Sequence, residues 1–65
     1  MKLTKLYKGF YRVHVDGSDD FGQIMKEKSK WYAEIRDSDG VIRRYAGIWN
    51  TRQDAVQEVE RLLSI

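Results

Sequence analysis

Apolar and polar residues alternate most regularly in residues 30–37, KWYAEIRD. Trp31, Ala33 and Ile35 share one parity, and Tyr32, Glu34 and Arg36 share the other. That period of two predicts an antiparallel strand with one buried face. Ser38-Asp39-Gly40 follows as hairpin-turn chemistry, because Asp-Gly supplies the positive φ such turns need. Residues 41–46 return as the next strand. Ile42, Arg44, Ala46 and Ile48 fall on one parity, and Val41, Arg43 and Tyr45 on the other. Arg44 suits an edge, where its stem covers apolar surface and its head reaches water.

The period then changes. Ala55, Val56, Val59, Leu62 and Leu63 recur at helical spacing and form one apolar stripe. Thr51 stands at the N-cap, and Asp54 three residues on resembles the second half of a capping box. Towards the N-terminus, residues 6–15 (LYKGFYRVHV) are rich in aromatic and β-branched residues and predict a first strand. Lys8, Phe10, Arg12 and His14 lie on one of its faces. Residues 1–5 are expected to be a fraying lead. Residues 16–29 are expected to be a long connection, opened by the turn-forming DGSDD and with room for a short strand at 22–26. The predicted class is α+β: a three-stranded antiparallel sheet with one C-terminal helix, in the order β-β-β-α. The helix is expected on the Trp31/Ala33/Ile35 side, in a single domain spanning 1–65.

Composition narrows the functional classes. Sixty-five residues without cysteine exclude disulfides and thiolate metal sites, so the core must come from aromatic and branched side chains. No apolar run approaches the roughly 20 residues of a membrane span. The basic N-terminus lacks the apolar stretch of a signal peptide, so a cytoplasmic protein is expected. A net charge of +2 permits a nucleic-acid partner without requiring one.

Catalytic chemistry finds little support. His14 is the sole histidine and has no partner at triad spacing. Asp37-Ser38-Asp39-Gly40 echoes the start of a calcium loop but lacks the later ligands, and it joins strands rather than helices. No Gly-rich phosphate loop occurs. The expectation is a non-enzyme with no metal and no cofactor.

The sheet face away from the helix is the candidate surface. It is expected to present Tyr32, Glu34 and Arg36 beside Arg43 and Tyr45. Arginine reads guanine, glutamate accepts from cytosine, and aromatic rings cover sugars or thymine methyls. Lys8, Lys26, Lys28 and Lys30 are expected to contact flanking phosphates. The rival expectation is a protein-interaction module docking through the sheet face or the edge strand that carries Arg44.

Three segments resemble a known family: Tyr7-Lys8-Gly9-Phe10, Lys30-Trp31-Tyr32-Ala33-Glu34-Ile35-Arg36-Asp37, and Gly47-Ile48-Trp49-Asn50-Thr51 leading into Asp54-Ala55. Together they resemble the AP2 domain of plant ERF-type transcription factors and the AP2-like domains of bacterial and phage integrases. The bacterial and phage branch is nearer. The resemblance implies a three-stranded sheet laid in the major groove of duplex DNA. It implies DNA contacts at Lys8, Glu34, Arg36, Arg43 and Tyr45, and core positions at Trp31, Ala33, Ile35 and Trp49. The chain departs from the plant pattern at Tyr11 and Val13, where that family carries arginines, and at Tyr45, where it carries Trp.

Overall fold

The computed structural model describes residues 2–64. Five strands precede one helix: β1 (Lys2–Tyr7), β2 (Phe10–His14), β3 (Phe21–Glu27), β4 (Lys30–Arg36), β5 (Ile42–Trp49) and α1 (Arg52–Leu63). The strands form one antiparallel meander in the order β1-β2-β3-β4-β5.

This corrects the expected three-stranded sheet. The segment 6–15 is not one strand. It folds back at Lys8-Gly9, where Gly9 takes φ +77°, and Tyr7 closes the hairpin against Phe10. Residues 2–5, expected to fray, pair with Tyr11 to His14. The expected connection 16–29 contains the central strand β3, which pairs with β2 on one side and β4 on the other. Its turn to β4 passes through Lys28 at φ +57°, a left-handed conformation uncommon for a side chain of this kind. The register makes the whole meander physically consistent. Ile24 lies opposite both Tyr11 and Ala33, so three strands deliver apolar groups to one face.

That face carries the core. Val13, Ile24, Ala33 and Ile35 pack against Ala55, Val56, Val59 and Leu63 of α1. Burying an aliphatic side chain of this size contributes about 1.5–3 kcal/mol, which matters greatly in a chain of this length. Tyr11, Trp31 and Trp49 close the edges of the cluster. Gly22 allows the closest approach. A Cβ there would stand 2.1 Å from Val59 Cγ1, so only glycine lets α1 settle on β3.

The helix starts at Thr51, whose Oγ1 accepts from Asp54 N–H at 3.1 Å. Asp54 sits in the positive first turn and Arg61 in the negative last one, both favourable to the helix dipole. Arg52 reaches back across the core edge, and its Nη1 donates to the Tyr11 hydroxyl at 2.9 Å. The helix lies on β2 to β5 and makes no contact with β1 among the described residues. No described helix is long and apolar enough to cross a membrane.

Candidate nucleic-acid interface

Antiparallel register arranges the helix-free face into rows running across the strands. One row reads Tyr7, Phe10, Met25, Tyr32 and Ile48, apolar or aromatic on every strand. The next reads Thr4, Arg12, Gln23, Glu34 and Tyr45. A third brings Lys2 opposite His14 and Phe21 opposite Arg36, with the His14 and Phe21 rings stacked at 5.6 Å. Neighbours within a row stand about 5 Å apart, so each row acts as a continuous strip.

Along the first row lies a shallow concavity of about 700 Å3, lined by Tyr7, Lys8, Phe10, Tyr32, Tyr45 and Ile48 among others. Tyr7 and Phe10 stack at 4.9 Å at one end. Tyr45 and Ile48 rise at the other and are 75% and 58% exposed. These are large apolar groups with no covering element.

Beneath this surface the charges are organised. Glu34 is buried although it belongs to the open face. Its Oε1 accepts from Arg36 Nε and Nη2, each at 2.9 Å. Arg36 Nη1 donates to the Gly40 carbonyl at 2.6 Å. The guanidinium thus ties the strand to its own hairpin turn, leaving one N–H on each terminal nitrogen for an outside acceptor. The turn is braced further by Asp37, whose Oδ1 accepts from Asp39 N–H and Val41 N–H. Arg12 lies over the Phe21 ring at 5.1 Å, and its Nε is buried without a hydrogen-bond partner.

Of the residues expected at a DNA surface, Tyr32, Glu34, Arg36 and Tyr45 share the open face, and Lys8 lines the same concavity. Arg43 does not join them. It is the unpaired residue of a β-bulge between Ile42 and Arg44. Its Nε lies 3.9 Å from Asp20 Oδ2, beside a recess that Leu62 and Leu63 also line. A second bulge skips Ala46. The two bulges reset the parity of β5, so Ile42 and Ile48 face the open side and Arg44 faces the helix side. Gly47, at φ +123°, is the sequence signal for this irregularity, since a glycine inside a strand often marks a bulge.

Arg12 and Ile48 are the functional candidates that the alternation pattern did not single out. Arg12 shares a parity with Phe10 and His14, but aromatic residues on both parities of 6–15 leave its face undecided from sequence. Ile48 was hidden by the bulges. The segment Tyr7-Lys8-Gly9-Phe10, the first of the three that resemble the AP2 family, forms the β1–β2 turn, whereas the strand beside β4 is β3.

On the opposite side of the molecule, Arg61 donates to Glu58 on the outer face of α1. That hydrogen bond holds the Glu58 carboxyl below its ordinary range. Lys30 Nζ donates to Asn50 Oδ1 at the helix start. Compared with known proteins, the chain matches no family model, no curated protein and no solved structure.

Proposed function

We propose that the chain is a small duplex-DNA-binding module of the integrase or phage type, which uses the open face of its sheet in the major groove. The observation that carries this reading is the clustering of Tyr32, Tyr45 and the Glu34–Arg36 pair on one uncovered face. Tyr45 is the most exposed large apolar residue there and offers a hydroxyl that can donate or accept at a base edge. Ile48 suits contact with a thymine methyl. Arg36 is held in one orientation by Glu34 and Gly40, so little side-chain freedom is lost when its remaining N–H groups meet an acceptor. The resemblance of residues 30–55 to AP2-type domains supports the same reading, although Arg43 is withdrawn from the set. A DNA partner implies the cytoplasm as the working compartment.

Fluorescence anisotropy with a labelled duplex, at two salt concentrations, tests the proposal. Binding is expected to weaken steeply as salt rises, because phosphate contacts release counterions. Tyr45→Ala combined with Ile48→Ala is expected to reduce affinity at least tenfold without lowering the melting temperature. Both side chains are exposed, so their removal leaves no core cavity. Salt-independent binding, or none, would sink the idea.

A second reading has its own observation. The row Tyr7, Phe10, Met25, Tyr32 and Ile48 is apolar on all five strands, as a protein-docking surface would be. A partner protein that perturbs Tyr32 and Ile48 in a titration, where duplex DNA does not, would favour it.

A further inference from the structure

The cations of this chain are segregated. Four of its twelve Lys and Arg (Lys2, Lys5, Lys8 and Arg12) lie in residues 1–15, which contain none of its ten Asp and Glu. The other fifty residues hold eight cations against ten carboxylates and are therefore net negative. A mild overall charge of +2 conceals a hairpin of +4 attached to a body of −2.

Ion pairing follows the same division. Among the described residues the salt bridges are Arg36–Glu34, Arg43–Asp20 and Arg61–Glu58, all outside β1–β2. No hairpin cation has a carboxylate partner there. Such groups retain their full value for an external anion. Three of the four lie on the open side, Lys2 and Arg12 by register and Lys8 by its place in the concavity. Lys2 lies opposite His14, Arg12 lies opposite Thr4 in the polar row, and Lys8 lines the concavity at the turn. Lys5 lies opposite Tyr11, on the helix side. The Arg12 guanidinium lies over the Phe21 ring at 5.1 Å, which limits its freedom before any ligand arrives.

Width decides what anion they meet. Adjacent strands stand about 4.8 Å apart, so five strands span about 19 Å between the outer axes, whereas β3 to β5 span about 10 Å. The major groove of B-DNA is about 12 Å wide. If β3–β5 enters the groove, β1–β2 must project over its edge, where the sugar-phosphate chain runs.

We infer that the β1–β2 hairpin is a phosphate clamp that lies across the backbone bordering the major groove, with Lys2, Lys8 and Arg12 contacting phosphodiester oxygens. The inference rests on the DNA reading of the open face and deepens it. The hairpin supplies sequence-independent affinity, while β4 and β5 meet the bases.

The test uses the full chain and two labelled duplexes of unrelated sequence, with affinity measured across a range of salt concentrations. In the triple variant Lys2→Gln, Lys8→Gln, Arg12→Gln the slope of log affinity against log salt is expected to become shallower by about two to three units, at roughly 0.9 per lost phosphate contact. The loss should be equal on both duplexes. Lys5→Gln with Arg44→Gln, on the helix side, should leave the slope at its wild-type value. Thermal melting checks that the triple variant is folded. If it is not, the single variants Lys2→Gln and Lys8→Gln, both at exposed positions, should each lower the slope by about one unit. A wild-type slope in these variants, or a loss confined to one duplex, overturns the clamp while leaving DNA binding intact. Failure of the wild-type chain to bind either duplex overturns the DNA reading and the clamp with it.

Discussion

Gly22→Ala is expected to destabilise the fold by about 3 kcal/mol and lower the melting temperature by roughly 12–24 °C, the upper range for an overpacked core in so small a domain. The added Cβ would meet Val59 Cγ1 at 2.1 Å and Val59 Cβ at 3.3 Å. Neither contact is easily relieved. Val59 is fully buried at the centre of the core, and a β-branched residue in a helix strongly prefers a single rotamer. The helix itself must move away from β3, opening gaps against Ile24 and Ile35. Total stability for 65 residues is only about 3–10 kcal/mol, so the variant is expected to lose a third or more of it. Gly22→Ala with Val59→Ala should be less destabilised than the two single changes added together, with a coupling of about 1 kcal/mol or more. Differential scanning calorimetry of the four proteins checks this. Additive effects would mean that the close approach is not what Gly22 supplies.

The second large effect is at the ion pair on the open face. Arg36→Ala is expected to cost about 2–3 kcal/mol, somewhat less than the 3–5 kcal/mol of a fully buried pair. The Arg36 side chain is 27% exposed, which moderates the loss, but Glu34 is buried and would be left with an uncompensated carboxylate. The Gly40 carbonyl would also lose its donor. Arg36→Lys should recover only part of this, because one ammonium cannot reproduce the three hydrogen-bonding contacts of the guanidinium. Replacing both Glu34 and Arg36 by apolar residues should cost less than Arg36→Ala alone, since no charge is then stranded. Urea denaturation of the series gives the ordering. Equal stability of Arg36→Ala and the wild type would contradict the structural role. For the same reason Arg36→Ala is a poor probe of DNA binding, and Tyr45 with Ile48 is the cleaner choice.

Which parts of the molecule were legible follows from local chemistry. β4, its Asp-Gly turn and α1 could be read directly. Trp31, Ala33 and Ile35 alternate without interruption, Gly40 takes the positive φ its turn requires, and Thr51 caps the helix. Of the three other hairpins, β2–β3 was marked by its DGSDD turn, and two carry no such label. Lys8-Gly9 sits inside an aromatic run that looks continuous, and Lys28-Ser29 lacks the Asn, Asp or Gly expected at a tight turn. β3 contains Gly22 and Gln23, which weaken its strand signal, yet Gly22 is there because the helix needs the space. The open face was legible on β4 but not on β5, where two bulges reverse the parity that Ile42, Arg43 and Ile48 would otherwise follow. At Gly22 the demand of helix packing overrode the local pattern, and on β5 the two bulges did.

On the proposed function, the open sheet face, and not the helix side, receives DNA. A residue-resolved NMR titration of the full chain with a short duplex tests it most directly. Shifts are expected at Tyr32, Tyr45 and Ile48 and along the hairpin at Lys8 and Arg12, while Gln57, Glu60 and Arg61 on the outer helix stay in place. Shifts confined to α1, or no shifts at low salt, would contradict it.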